Sequence, residues 1–124
     1  MDSKPLAFVA LAFLAAPSIV CAKDADPHVQ YSTAQYLKNF ALSVCIADGY
    51  KSEEVVKDGR AAAGGYLEFG SSPIEAYEDV EALGKTFLAK DYPSIHGGQI
   101  TLMKCIDFYH SKELERVVKK YQKR

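Results

Sequence analysis

Several residue types are scarce in this 124-residue chain, and each scarcity excludes a class of protein. There is no tryptophan, and there are only three cysteines and three histidines. The 15 Lys and Arg residues are balanced by 16 Asp and Glu residues, so the chain lacks the basic excess that nucleic-acid phosphates require. His28, His96 and His110 are widely separated and no two cysteines are closely spaced, so no metal site is predicted.

The motifs of common catalytic and cofactor sites are missing as well. The sequence contains no Cys-x-x-Cys-His haem motif, no glycine-rich phosphate loop after a strand and no Gly-x-Ser-x-Gly nucleophile motif. Cys105 and His110 are five residues apart, so a helix would turn them to different faces and prevent a nucleophile–base contact. The sequence therefore predicts neither an enzyme nor a bound cofactor.

The longest apolar run lies at the N-terminus. Residues 5–20 are apolar except for one serine, follow a lysine, and precede small residues and a charged segment. This order is typical of a secretory signal peptide, whereas a membrane-spanning helix needs about 20 apolar residues. We predict a signal peptide at residues 1–22 that is cleaved after Ala22, which leaves no membrane segment. The alternative is lipoprotein processing, with Cys21 as the lipidated first residue.

Removal of residues 1–22 leaves 102 residues, which is enough for one hydrophobic core. We predict a flexible start at residues 23–29 and a single helical domain at residues 30–124. Only Cys45 and Cys105 remain after cleavage, and an even pair in an exported chain is most simply a disulfide. Two buried free thiols are the alternative.

Apolar residues at helical spacing predict an all-α fold, a small bundle of four or five helices. The predicted helical stretches are Gln30–Gly49, Ser52–Phe69, Ser72–Ala89 and Ile100–Tyr121. The first stretch is apolar nearly all round, as expected of a central helix. The first half of the last stretch is also expected to be buried all round, and Ser111 is placed to divide that stretch into two helices.

Two local patterns lead to more specific expectations. The segment Ser72-Pro73-Ile74-Glu75 fits a capping box, with Ser72 as N-cap, Pro73 as the first helical residue and Ile74 turned inward. The run from Ala61 to Gly65 consists of alanine and glycine, and interior glycine costs helix stability unless another helix approaches closely. We expect that neighbouring helix to belong to the same chain, with a second copy of the chain as the alternative.

Three segments carry a resemblance to a known bacterial family. The segments are Lys104-Cys105-Ile106-Asp107-Phe108-Tyr109-His110-Ser111-Lys112-Glu113-Leu114, Ala41-Leu42-Ser43-Val44-Cys45-Ile46-Ala47 and Gly65-Tyr66-Leu67-Glu68-Phe69-Gly70. They resemble the periplasmic immunity proteins that neutralise the fourth class of type VI secretion amidase effectors. The resemblance extends over about Tyr36 to Tyr121. Within the first segment we expect structural roles, with Asp107 hydrogen-bonded across the helix joint.

The resemblance implies a disulfide-bearing periplasmic homodimer that binds a secreted peptidoglycan amidase and is not itself an enzyme. It also implies that a protruding loop and a helix face of the dimer occlude the amidase cleft. The sequence places a loop at Asp91–Gln99, where Pro93 and two glycines interrupt helix. Our candidates for the effector-binding loop are Tyr92, Ser94, Ile95, His96, Gly97 and Gly98. Weaker candidates for a second contact surface are Glu75, Glu78 and Asp79.

Three other functions are compatible with the composition. A small periplasmic acid-stress chaperone would also be helical and carry a single disulfide. An inhibitor of another wall-degrading enzyme, such as a lysozyme, is separated from an amidase inhibitor only by the family resemblance. A hydrolase of unknown type is disfavoured because no catalytic motif is found.

Overall fold

A computed structural model describes residues 29–122 of the chain, together with positions 3 and 5. Apart from positions 3 and 5, the predicted signal peptide lies outside the described residues, as do its cleavage site, Cys21 and residues 23–28 of the predicted flexible start. Residues 29–122 form five helices: α1 Thr33–Gly49, α2 Glu53–Phe69, α3 Ile74–Leu88, α4 Thr101–Tyr109 and α5 Lys112–Gln122. The predicted all-α fold is confirmed. The described helices include none with the length and apolarity to cross a membrane.

Helix α1 is the centre of the bundle and contacts each of the other four helices. Its N-cap is Ser32, whose hydroxyl accepts a hydrogen bond from the Gln35 N–H at 3.2 Å. Apolar residues cover most of its circumference, and those that are buried are Tyr36, Leu37, Phe40, Ala41, Val44, Cys45 and Ala47. The prediction of a central first helix is therefore confirmed.

A disulfide links Cys45 of α1 to Cys105 of α4, with 5.7 Å between the two Cα atoms. Both cysteines are buried, at 2% and 0% exposure. The predicted disulfide is confirmed, and the alternative of two free thiols is wrong. The bond ties the central helix to α4, which follows the predicted loop directly.

Close helix packing on α2 occurs at Gly59, which the small-residue run does not include. A Cβ atom added at Gly59 would lie 3.1 Å from both the Ala47 Cβ and the Ser43 carbonyl oxygen of α1. At Gly64 and Gly65 an added Cβ would meet no atom of the described residues within 4 Å. The expected neighbour from the same chain is therefore wrong at these two glycines, and a second copy stays a prediction.

The start of α3 differs from the predicted capping box. Pro73 has extended backbone angles (φ −65°, ψ 155°) and is the N-cap, with no side-chain hydrogen bond at the cap. Its carbonyl accepts the Ala76 N–H at 2.9 Å, so the helix begins one residue later than expected. Ile74 is then 59% exposed, because Ala76 and Tyr77 occupy the inward positions of the first turn.

Helix α4 is not buried all round, contrary to the prediction. Leu102 and Met103 are each 48% exposed, and Ile106 is 44% exposed. The helices that contact α4 lie on the side of Cys105 and Phe108, so the opposite face has no neighbouring helix within residues 29–122. The division at Ser111 is confirmed, because its hydroxyl accepts the Leu114 N–H at 3.1 Å.

Candidate functional site

The loop between α3 and α4 is a short β-hairpin. Pro93 and Gln99 form an antiparallel bridge. One step closer to the bundle, the Ile100 N–H donates to the Tyr92 carbonyl at 3.2 Å. This bond and the one from the Ser94 N–H to the Gly98 carbonyl flank the single bridge and define the register of the two arms, so the loop has a defined backbone structure. We call residues 92–100 the hairpin.

The end of the hairpin, residues 94–98, is a tight turn that we call the tip. The Gly97 N–H donates to the Ser94 carbonyl at 3.0 Å, and the Ser94 N–H donates to the Gly98 carbonyl at 3.2 Å. Gly97 and Gly98 have φ angles of +90° and +76°, which only glycine adopts readily. Ile95 stands at the tip with 96% of its surface exposed.

The base of the hairpin is held by a polar network. The Tyr92 N–H donates to the Gln99 Oε1 atom at 2.7 Å, and the Gln99 Nε2 atom donates to the Asp91 Oδ1 atom at 2.6 Å. The Tyr92 hydroxyl donates to the Asp107 Oδ2 atom of α4 at 2.7 Å. This hydrogen bond to a carboxylate favours the protonated phenol, so it raises the pKa of Tyr92.

Lys104 fixes the chain where it enters the hairpin. Its side chain is buried, and its ammonium donates to the Leu88 carbonyl at the end of α3 at 2.9 Å. The ammonium also lies 5.9 Å from the centre of the Tyr92 ring. Gly49, at the end of α1, packs against Thr101 and Leu88, where a Cβ atom would collide with both side chains. Both ends of the hairpin therefore rest on the bundle.

The structure brings the six predicted loop residues together in one hairpin, but it gives them different surroundings. Ile95, His96, Gly97 and Gly98 are exposed at the tip. Ser94 and Tyr92 are partly buried, and the Tyr92 side chain turns back to α4. Their contact with an effector stays a prediction.

The predicted second surface does not lie beside the hairpin. Glu75 and Glu78 are exposed on α3, and Glu78 precedes Leu88 by ten residues, or about 15 Å along the helix axis. Asp79 accepts hydrogen bonds from the Tyr121 hydroxyl at 2.5 Å and from Lys120 at 3.1 Å. These bonds, the one from Tyr121 first, lower the pKa of Asp79. Asp79 thus holds α5 against α3.

Sequence reasoning missed two features near the hairpin. The first is the polar pair Asp91 and Gln99, which no local pattern marks as partners. The second is the apolar face of α4, formed by Leu102, Met103 and Ile106, which we call the α4 face. It lies next to Asp107 and therefore next to the base of the hairpin. The bond that Asp107 accepts from the Tyr92 hydroxyl also corrects the expectation of a bond across the helix joint.

The part of the chain that the structure describes contains no candidate metal site. In residues 29–122 there is no group of three or more His, Cys, Asp or Glu side chains arranged to hold a metal ion. A cleft of about 780 Å³ lies at the far end of the bundle and is lined by residues of α1, α5 and the α2–α3 connection. Its lining residues are Ser32, Thr33, Ser71, Ser72, Pro73, Tyr121 and Gln122.

Comparison with models of known protein families places the chain in one family. The sequence model of the Tai4 family, described as type VI secretion system amidase immunity protein, matches residues 35–118. The chain belongs to the Tai4 family. This membership makes it an immunity protein and separates it from the acid-stress chaperone considered above. None of the proteins with curated descriptions matches the chain.

Solved structures agree with the family assignment. A chain in the structure of the Tae4/Tai4 effector–immunity system from Salmonella typhimurium is 40% identical, with a TM-score of 0.70. The match covers 73% of this chain and 90% of that chain. Chains in the complex of S. typhimurium Tae4 with Enterobacter cloacae Tai4, and in the E. cloacae Tae4–Tai4 complex, are 21% identical with TM-scores of 0.66. Those matches cover 76% of this chain and 98% and 97% of the other chains, and they show the same fold.

Proposed function

We propose that this protein protects its cell by binding a secreted peptidoglycan amidase effector and obstructing the active-site cleft of that amidase with the hairpin tip. The observation that carries the proposal is Ile95, an apolar side chain that is 96% exposed at the end of a braced hairpin. An apolar side chain at the end of a projecting hairpin is placed to act as an anchor in a pocket of a partner. The solved complexes of the related proteins pair Tai4 with Tae4.

Obstruction requires no chemistry from the inhibitor. A hairpin with internal hydrogen bonds loses little conformational entropy when it enters a cleft, so more of the contact energy remains as affinity. The glycines at the tip allow the backbone to come close to the walls of a narrow cleft. The α4 face adjoins the base of the hairpin and would extend the contact beyond the cleft. The protein is therefore proposed to act as a non-enzymatic inhibitor without a cofactor.

We place this inhibition in the periplasm. The apolar N-terminal run supports export through a signal peptide. The buried disulfide supports an oxidising compartment, because cytoplasmic thiols are kept reduced. Peptidoglycan, the substrate of the amidase, is also found on that side of the inner membrane.

The active form is proposed to be a homodimer that pairs through the exposed face of α2. Lys57, Ala61, Gly64 and Glu68 lie along one face of this helix at intervals of four, three and four residues, and all four are exposed. The midpoint between Lys57 and Glu68 is also the midpoint between Ala61 and Gly64. An antiparallel two-fold pairing therefore places Lys57 opposite Glu68 of the second copy, with the small residues at the centre.

Ile95→Asp tests the obstruction. We expect the Kd for the amidase encoded in a neighbouring operon to rise about 30-fold or more, because a central apolar anchor becomes charged. The melting temperature should not change, since the Ile95 side chain lies outside the core. Binding is measured by isothermal titration calorimetry with the purified mature protein, and Tae4 from S. typhimurium serves as a second probe.

Val29→Asp is the matched control, because Val29 is 64% exposed at the opposite end of α1 from the hairpin. It should leave binding unchanged. If the Ile95→Asp variant binds the amidase like the wild type, the hairpin tip does not obstruct the amidase cleft. Survival of cells that make the amidase in their periplasm gives the corresponding result in vivo.

Charge reversal tests the dimer. Lys57→Glu and Glu68→Lys should each shift the protein toward monomer in sedimentation equilibrium, since each places like charges opposite each other. The double variant should recover the dimer, because it restores opposite charges in the exchanged order. Single variants that dimerise like the wild type would exclude the α2 face.

A further inference from the structure

We propose that Tyr92 is a positioning residue that locks the hairpin to α4, and that it is not itself a contact for the effector. The inference deepens the proposed function, because it concerns how the obstructing tip is held. It divides the predicted loop residues by role: the residues of the tip contact the effector, and Tyr92 holds the tip in position.

The polar groups of Tyr92 are all used within this chain. Its N–H donates to the Gln99 side chain at 2.7 Å, and its carbonyl accepts the Ile100 N–H at 3.2 Å. Its hydroxyl donates to Asp107 at 2.7 Å. Lys104 lies 5.9 Å from the centre of the ring. A residue whose N–H, carbonyl and hydroxyl each already have a partner within the chain is suited to hold a structure.

The hydroxyl bond matters because it is a direct side-chain hydrogen bond from the hairpin to α4. The remaining bonds of Tyr92 lie within the hairpin and close its two arms on each other. They define the shape of the hairpin but do not determine the angle at which it leaves the bundle. Asp107 lies on α4, which packs against α1, α3 and α5 through buried residues such as Cys105 and Phe108, so the acceptor is rigidly placed.

Loss of this link should loosen the hairpin, so that it swings on the bundle and its two arms open more often, while the bundle itself stays folded. A hairpin that swings must be ordered again when it binds, which lowers the affinity. The proposal predicts that the bond from Tyr92 to Asp107 affects the affinity for the amidase and the dynamics of the hairpin, while the stability of the bundle stays the same.

The test compares three variants and one control. Tyr92→Phe removes only the hydroxyl, and Asp107→Ala removes the acceptor. Asp107→Asn is the conservative rescue, because its amide oxygen still accepts a hydrogen bond. Tyr109→Phe is the control, since Tyr109 sits on the same helix and bonds Gln35 and Asn39 of α1, away from the hairpin.

Two measurements are made on the full mature protein. Amide hydrogen exchange by NMR reports on the N–H groups of Ser94, Gly97 and Ile100, which close the hairpin. Titration with the amidase from the neighbouring operon reports the Kd. Tyr92→Phe and Asp107→Ala should speed the exchange of these amides and raise the Kd about five- to tenfold, with an unchanged melting temperature. Asp107→Asn and Tyr109→Phe should resemble the wild type in both measurements.

Unchanged exchange in Tyr92→Phe and Asp107→Ala would overturn the positioning role, whatever Ile95→Asp does to the Kd. Equal effects of Tyr92→Phe and Tyr109→Phe on exchange would also overturn it, because the effect would then come from general loosening. Faster exchange combined with an unchanged Kd in both Tyr92→Phe and Ile95→Asp supports the positioning of the hairpin but overturns the proposed obstruction. The two proposals therefore fail in different ways.

Discussion

At the scale of single residues, Asp79 shows how a surface carboxylate stabilises the bundle. Hydrogen bonds from Tyr121 and Lys120 lower its pKa in the folded state. Its ionised form therefore stabilises the fold above its ordinary pKa of about 4, and this stabilisation is lost as the pH falls through the lower folded-state pKa. At neutral pH, Asp79→Ala should lower the free energy of unfolding by about 1 kcal/mol, a modest value because the side chain is 44% exposed.

Urea unfolding of the wild type and Asp79→Ala at pH values from 7 to below 3 measures this difference. The gap should narrow as the pH falls below about 4, because the wild-type carboxylate then becomes protonated. Glu78→Ala, at an exposed position one residue earlier, should change the stability by less than about 0.5 kcal/mol at every pH. A gap for Asp79→Ala that does not depend on pH would show that packing, and not ionised Asp79, holds α5.

At the scale of secondary-structure elements, two serine N-caps with different geometry allow a direct comparison. The Ser111 hydroxyl accepts the Leu114 N–H at 3.1 Å, whereas Ser52, the N-cap of α2, makes no side-chain cap bond. Ser111→Ala should lower the free energy of unfolding by about 1 kcal/mol, and Ser52→Ala should change it by only a few tenths. Equal losses in chemical denaturation would mean that the serine acts through backbone preference and not through the cap bond.

The same scale shows what apolar spacing predicts and what it does not. The spacing located all five helices within a few residues, because periodicity and breakers such as Pro93 and Ser111 are local properties. It failed for the inward face of α4, since apolar residues on every side of this helix hide which side the neighbouring helices cover. Lys104 occupies an inward position there, because its ammonium reaches the carbonyl of Leu88. The extended backbone of Pro73 likewise depends on the path from α2 and not on the cap motif.

At the scale of the whole molecule, the candidate site was predictable in position but not in architecture. Pro93 and the two glycines marked a loop between the last long helices, and the family resemblance gave that loop a function. The hairpin depends on pairings such as that of Tyr92 with Asp107, fifteen residues apart, which require the finished fold. Long-range side-chain pairs of this kind leave no trace in local spacing.

The disulfide gives the last prediction, because it stabilises the whole domain and not the binding site. Cys45 and Cys105 are separated by 60 residues, and closing a loop of that length contributes about 4 kcal/mol in the chain-entropy model. Since small domains are stable by only about 5–15 kcal/mol, Cys45→Ala/Cys105→Ala should lose a large share of the stability. Guanidinium unfolding of the oxidised wild type and the double variant measures the loss.

The wild type under a thiol reductant is the matched control, because it opens the same bond without removing the sulfur atoms. If chain entropy dominates, the reduced wild type and the double variant should show similar losses. Below its melting temperature, the double variant should still bind the amidase, since the hydrogen bonds that brace the hairpin do not involve either cysteine. A variant that stays folded but no longer binds would show that the disulfide shapes the inhibitory surface, and the separation between a stabilised core and a separately braced hairpin would then be wrong.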